Sequence, residues 1–270
     1  IQEGGKKMGI HENVKLIKKE KLKEGIYKFS IYSEEMCKLA KPGQFLELKV
    51  IKGLEPLLRR PISIYNVNKE ENLIEFIFQV KGKGTDILSE VEIGKEIDII
   101  GPLGNGVFDM NNYKNVAIIG GGIGTFPLYE LSKNLYGKSN VNIYLGFRNK
   151  EFVVLEEEFL KVSNNLVITT DDGSYKEQGY AINKLKEDIE KGNIPEIIYA
   201  CGPLPMLRAV RELALEKDIP CQLSLEERMA CGLGVCLGCA VKVASDNEEI
   251  VTYKHVCKDG PVFWANEVEI

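Results

Sequence analysis

Asn115-Val-Ala-Ile-Ile-Gly-Gly-Gly-Ile-Gly124 reads as a buried strand that runs straight into a glycine turn. Residues 127–135 then continue at helical period. Apolar strand, glycine turn and helix form the opening unit of a parallel α/β sheet. The chain downstream repeats this grammar. Strands are predicted at 141–146, 166–170 and 197–201, and helices at 155–162, 180–191 and 205–217. Such alternation predicts a parallel sheet with helices on both faces.

Upstream the pattern changes. Ile26-Tyr-Lys-Phe-Ser-Ile-Tyr32, Phe45-Leu-Glu-Leu-Lys-Val50, Ile62-Ser-Ile-Tyr-Asn-Val67 and Leu73-Ile-Glu-Phe-Ile-Phe-Gln-Val80 are rich in β-branched and aromatic residues. Runs of this type, broken by turns such as Pro42-Gly43 and Ile93-Gly94, signal strands. They predict a small antiparallel barrel between Val14 and about Ile100. One short helix is expected inside it at 85–90, capped by Thr85 or Asp86. Gly101-Pro-Leu-Gly-Asn-Gly106 reads as the junction between the two halves.

The third part is cysteine-rich. Cys231-Gly-Leu-Gly-Val-Cys-Leu-Gly-Cys239, with Cys257 beyond, gives the spacing C-x4-C-x2-C-x17-C. Four thiolates spaced like this are the usual cage of a [2Fe–2S] cluster with plant-ferredoxin spacing. Gly232, Gly234 and Gly238 let the loop fold tightly and bring backbone N–H groups near the sulfurs. Zinc also takes four cysteines, but usually in two C-x2–4-C knuckles, whereas three crowd into one loop here. His255 lies two residues before Cys257 and reads as a surface histidine. Cys37 and Cys221 read as small buried residues.

The bulk properties agree with a globular redox protein. The chain has 270 residues, 44% of them hydrophobic, and a net charge of -5. Lysines are scattered among glutamates, a solvated mixed-charge surface rather than a nucleic-acid patch. No apolar run approaches the roughly 18 residues of a membrane span, so a cytoplasmic location is expected. Seven cysteines, four of them clustered, do not form a disulfide framework. Met8-Gly-Ile-His reads as a natural start, and 1–8 as an appended tail. The expected division is then 9–106 for the barrel, 107–219 for the α/β domain and 220–270 for the cysteine-rich segment.

Two candidate nucleotide sites follow. Gly120, Gly121, Gly122, Ile123 and Gly124 close a strand and open a helix, where N–H groups favour a pyrophosphate. The run lacks full G-x-G-x-x-G spacing, because Pro127 stands where the last glycine belongs. Cys201, Gly202 and Pro203 end a later strand on the same rim, where open α/β sheets bind ligands. Thr170-Asp-Asp-Gly-Ser174 belongs to that edge too, as a ligand contact or a polar turn. In the barrel, Arg59-Arg60-Pro61-Ile62-Ser63 offers a guanidinium for a phosphate. Lys81-Gly82-Lys83-Gly84-Thr85 leads into the short helix.

These motifs together resemble the ferredoxin-reductase superfamily, a flavin-binding barrel followed by a nicotinamide-binding α/β domain. The C-terminal Ser224-Leu-Glu-Glu-Arg-Met-Ala-Cys-Gly-Leu-Gly-Val-Cys-Leu-Gly-Cys239, with Lys258-Asp-Gly-Pro-Val-Phe263, is similar to one branch. That branch is the electron-transfer subunits of class 1B dihydroorotate dehydrogenase. The resemblance implies an antiparallel β-barrel flavin domain, a parallel α/β nucleotide-binding domain and a small C-terminal [2Fe–2S] segment. It implies that Arg60 holds the FAD pyrophosphate and Ser63 lies near the flavin N5, with Pro61 and Ile62 between them. Gly84 and Thr85 would contact the flavin phosphates, and Lys83 belongs to the same cofactor-binding set. Gly120 to Gly124 and Cys201 to Pro203 would face the nicotinamide nucleotide, and Cys231, Cys236, Cys239 and Cys257 would hold the cluster. Many superfamily members stack a tyrosine on the flavin where this chain has Ile62; Tyr65 is a candidate substitute.

The family oxidises dihydroorotate on an FMN-bearing TIM-barrel subunit. This chain has no room for a barrel of about 250 residues beside its other domains. The expectation is therefore a relay in pyrimidine biosynthesis. Electrons would pass from a partner's FMN through the cluster and FAD to NAD+, in an assembly of two copies of each subunit. The alternative is an NAD(P)H:ferredoxin-type reductase running the same cofactors in reverse. A zinc-stabilised nucleotide sensor is a third reading. NAD is expected over NADP, because no arginine pair is placed for a 2′-phosphate, although Arg148 lies just past a strand.

Overall fold

The computed structural model describes residues 2–3, 6–7, 9–50, 53, 55–244 and 251–270. The chain forms two compact units. The first holds Ile1–Val107, Glu226–Ala240 and His255–Pro261; the second holds Phe108–Leu225, Val241–Lys254 and Val262–Ile270.

In the first unit, β1 (Gln2–Glu3) and β2 (Lys6–Lys7) pair antiparallel within the segment read as a tail. The strands β3 (Ile10–Lys23), β4 (Ile26–Tyr32), β5 (Phe45–Lys49), β6 (Arg60–Asn68), β7 (Leu73–Gln79) and β8 (Glu96–Leu103) close the antiparallel barrel expected from the sequence. Their order round the barrel is β3-β4-β7-β6-β5-β8. Alternation sends Leu16, Phe29, Ile31, Leu46, Leu48, Ile74 and Phe76 into one core. The Phe29 ring meets Phe78 edge-on with centroids 5.1 Å apart, a geometry that aromatic quadrupoles favour.

Three local readings are corrected. The helix expected at 85–90 is α2 (Lys83–Ser89), so Thr85 sits inside its first turn and Gly82 caps it. Thr85 still closes that end, because its Oγ1 accepts from the N–H groups of Lys81 and Gly82. A second helix, α1 (Glu34–Leu39), follows Ser33, whose Oγ accepts from Met36 N–H at 3.1 Å. The 101–106 junction is partly strand, since β8 runs through Leu103.

The second unit contains β9 (Asn115–Gly121), α3 (Leu128–Leu135), β10 (Asn140–Phe147), α4 (Glu156–Leu160), β11 (Asn165–Thr170), β12 (Glu177–Gln178), α5 (Ala181–Glu190), β13 (Ile197–Cys201), α6 (Leu204–Glu216) and β14 (Cys221–Ser224). These strands are mutually parallel. After β15 (Ala240–Val243) and β16 (Thr252–His255), which pair as a ribbon, β17 (Val262–Trp264) joins β14 antiparallel. The seven-stranded order is β12-β11-β10-β9-β13-β14-β17. The chain builds outward from β9 to β12, then returns to the other side of β9 with β13. The order of strand addition therefore reverses between β9 and β13, the place where open α/β sheets bind ligands.

Candidate functional site

The cysteine loop is shaped by left-handed residues. Gly232 and Gly234 have φ of 67° and 77°, and Leu237 adopts 61° despite its side chain. These turns aim backbone N–H groups at sulfur. Leu233, Val235 and Cys236 donate to Cys231 Sγ at 3.3, 3.4 and 3.5 Å. Gly234 donates to Cys257 Sγ at 3.1 Å, and Cys257 N–H to Cys239 Sγ at 3.4 Å. The thiols meet in two pairs, Cys231 with Cys236 and Cys239 with Cys257. Among the described residues, no three metal-ligating side chains crowd one point.

The thiols differ in acidity. Burial pushes Cys231 up, but the loop N–H groups and the Cys236 thiol pull it down to about 6. Burial, and then Cys239, push Cys257 up to about 12. Two thiol pairs lined with N–H donors fit a two-iron cluster that takes two thiolates at each iron. Cys236 lies on the exposed side of the loop, where Val235 and Leu237 are 78% and 61% exposed. His255 is not free at the surface: its backbone N–H and Nδ1 both approach Asp259 Oδ2, at 2.7 and 3.6 Å.

On the barrel, Arg60 Nη1 donates to the carbonyls of Leu58 and Arg59 at 3.0 and 2.9 Å. Its guanidinium lies where a Cβ on Gly84 would stand. Only glycine at 84 lets the arginine reach the first turn of α2, so guanidinium and helix N–H groups share one place. That is a fit for a flavin pyrophosphate. Arg59 serves another purpose: Nη2 meets Asp98 Oδ1 at 2.8 Å, and Nη1 donates to Asp98 O at 3.0 Å. Ser63 stands opposite Phe45, and Pro61 opposite Glu47, across β5 and β6. Tyr65 is only 3% exposed, so its ring is enclosed by protein and offers no face to a flavin.

At the switch point the two glycine turns fit together. Cys201 pairs with Gly120 in register. A Cβ on Gly124 would stand 2.6 Å from Gly202 Cα, and one on Gly121 would stand 2.8 Å from Pro203 Cδ. Gly122 takes a φ of 54°. Bare backbone on both turns leaves a cradle at the strand ends that fits a dinucleotide phosphate. The aspartates of 170–174 form a polar turn: Asp172 Oδ1 accepts from Ser174 N–H and Oγ at 3.0 and 2.6 Å. Cys37 and Cys221 are buried, as read.

One residue of this region escaped sequence reasoning. Glu47 lies between Leu46 and Leu48, both in the barrel core, so alternation turns it to the outer face. Outward glutamates are ordinarily solvated, yet Glu47 is 1% exposed. Gly232 of the cysteine loop sits on its carboxyl. Burial pushes the group up to about 7 against the charge of Arg59. Nothing in Phe45-Leu-Glu-Leu-Lys49 signals that a segment some 180 positions later covers it.

Comparison with known proteins agrees with this geometry. Residues 13–108 match the oxidoreductase FAD-binding domain, residues 118–212 the oxidoreductase NAD-binding domain, and residues 226–269 the iron–sulfur cluster binding domain of dihydroorotate dehydrogenase B. The chain is 38% identical over 260 residues to the dihydroorotate dehydrogenase B (NAD(+)), electron transfer subunit, of Bacillus cereus strain Q1. That alignment covers 95% of this chain and 98% of the relative. The Bacillus mycoides strain KBAB4 protein of the same name is 37% identical over the same lengths. A solved NADH-dependent reduced ferredoxin-NADP oxidoreductase, studied for flavin-based electron bifurcation, superposes with a TM-score of 0.83 at 31% identity, covering 99% of this chain and 91% of that one. Phthalate dioxygenase reductase, at 17% identity and a TM-score of 0.63, covering 92% of this chain and 94% of that one, shares the fold.

Fold, site and matches define an oxidoreductase subunit with FAD-binding, NAD-binding and iron–sulfur domains. More narrowly, the chain belongs to the family of dihydroorotate dehydrogenase B electron transfer subunits.

Proposed function

We propose that this chain relays electrons from a dihydroorotate-oxidising partner to NAD+. One observation carries the reading: the four-thiol loop is seated on the same unit as the Arg60–Gly84 cradle, with Gly232 pressed on strand β5 beside β6. When bound, the cluster and flavin supply one-electron transfer and its conversion to hydride chemistry. The chain's residues hold and orient these groups. Cys231, Cys236, Cys239 and Cys257 hold the iron, and their N–H donors favour the thiolate form. Arg60, with Pro61, Ile62 and Ser63, and Lys83, Gly84 and Thr85 hold FAD. Gly120 to Gly124 and Cys201 to Pro203 take the nicotinamide nucleotide.

The exposed Val235 and Leu237 beside Cys236 meet the partner, an FMN-bearing dihydroorotate dehydrogenase catalytic subunit, in an assembly of two copies of each chain in the cytoplasm. Among the described residues, no helix is long and apolar enough to cross a membrane. Co-purification tests the partnership: the expected complex holds FAD, FMN, iron and acid-labile sulfide. Zinc without iron would instead support the nucleotide-sensor reading. NAD is the expected nucleotide, and tighter binding of NADP to the reduced protein would reverse that choice.

The likeness to the ferredoxin-NADP oxidoreductase favours a second reading, in which NAD(P)H reduces the cluster for a ferredoxin-type acceptor. The two readings differ in whether dihydroorotate or NAD(P)H is the reductant.

A further inference from the structure

Strand β8 ends at Leu103, which pairs with Phe45 at the start of β5. The next rung of that ladder would join Gly104 to Gln44. Gln44 cannot make it through its main-chain donor, because that N–H donates to Lys41 O at 3.2 Å. Its side chain makes it instead. Nε2 donates to Gly104 O at 2.8 Å, while Oε1 accepts from Lys41 N–H at 2.8 Å. Both ends of one half-buried amide are therefore fixed.

Gly104 and its neighbours also carry the segment that follows the fourth cysteine. Asn105 N–H donates to Lys258 O at 3.0 Å, and Gly106 N–H to Gly260 O at 2.9 Å. Gly104 takes a φ of 93°, and a Cβ there would stand 2.7 Å from Gly260 O. Only glycine lets the two segments lie this close. On the barrel side, Gln44 O accepts from Ile64 N–H at 3.0 Å, one residue after Ser63. Hydrogen bonds and short stretches of chain thus connect the residue after Cys257, through Asn105 and Gly104, to Gln44 and so to β6. All of these residues lie in the first unit. Each joint is main chain to main chain except Gln44 Nε2 to Gly104 O, which a substitution can remove.

We propose that Gln44 is a positioning residue for electron transfer between cluster and flavin: its amide fixes the Cys257 segment against the strand that carries Arg60 and Ser63. The inference rests on the reading that the four cysteines hold a [2Fe–2S] cluster and that this strand holds FAD. In the direction tested, FAD that NADH has reduced loses one electron and the cluster gains it; no bond or proton at Gln44 changes. Outer hydrogen bonds hold metal ligands in place, and losing one ordinarily costs about 10–100-fold in metal affinity or activity.

The test mixes NADH rapidly and anaerobically with the full chain loaded with iron and FAD. Flavin bleaching reports the hydride step, and freeze-quenched electron paramagnetic resonance reports the reduced cluster. Q44E keeps the length and the acceptor for Lys41 N–H but loses the donor to Gly104, and Q44M loses both. In both variants bleaching is expected to stay within about twofold of the unvaried protein, while cluster reduction slows about tenfold. A half-reduced sample gives a second readout, the dipolar coupling between flavin radical and cluster, which should shift or broaden in both variants. The proposal is overturned if cluster reduction keeps pace with the unvaried protein, if both steps slow alike, or if the coupling is unmoved. Iron and sulfide analysis of the unvaried protein separates the two layers of the argument. Absent iron defeats the cluster assignment, whereas a loaded cluster with an unmoved rate defeats only the role of Gln44.

Discussion

A cysteine announces its chemistry by type and spacing, and a glycine by what no other residue can do. Gly84 shows the second case, since a Cβ there would occupy the space of the Arg60 guanidinium. Gly84→Ala should therefore leave the barrel folded but displace the arginine. FAD affinity is expected to fall about tenfold, about 1.4 kcal/mol, measured by fluorescence titration of the apoprotein. Glu47 is the opposite case, because its environment comes from a distant segment. Its carboxyl titrates near 7 rather than at the ordinary 4.5, so the folded chain binds that proton more tightly than the unfolded chain does. The stability this contributes is complete below pH 4.5 and is lost as pH rises through about 7. E47Q lacks the titration. Its urea midpoint should fall less between about pH 5 and pH 8.5 than that of the unvaried protein; parallel falls would contradict the burial argument.

At the scale of elements, periodicity located β9, β10, β11 and β13 and helices α3 to α6, with ends displaced by a residue or a few, but not β14, whose residues read as the start of the cysteine-rich segment. The strand at 197–201 matches β13 as read, and the helix read at 155–162 shortens to α4. Helix α1 is six residues long, too short to show a helical period, although Ser33-Glu34-Glu35 is a helix start in miniature. Its cap is testable. Ser33 Oγ accepts from Met36 N–H and donates to Glu12 Oε2 at 2.6 Å, and the residue is buried. Ser33→Ala should destabilise the chain by about 1–2 kcal/mol in urea titrations. The rim of β9 and β13 offers a second test. Gly124 faces backbone at Gly202, which cannot swing aside as a side chain can. Gly124→Ala should weaken NAD binding at least about tenfold, about 1.4 kcal/mol, with flavin content unchanged. Undiminished NAD affinity would remove the rim from the site.

At the scale of the whole molecule, the sequence supplied the barrel, the parallel sheet and the cysteine segment as three successive parts. The folded chain distributes the third part over both units: Glu226–Ala240 and His255–Pro261 lie with the barrel, while β17 completes the sheet. Spacing could identify the thiols but not their host, because strand and loop pairings across a hundred or more residues leave no local trace. The function follows from that arrangement and from family membership. The chain carries FAD-binding, NAD-binding and iron–sulfur domains, and the proposed relay needs its reductant from another chain. Anaerobic titration of the purified complex with dihydroorotate, watched by flavin absorbance and cluster resonance, tests this most directly. The expected result is that dihydroorotate reduces both cluster and flavin, and that added NAD+ reoxidises them. Cofactors that stay oxidised with dihydroorotate yet are reduced by NAD(P)H, and discharged by a ferredoxin, would contradict it.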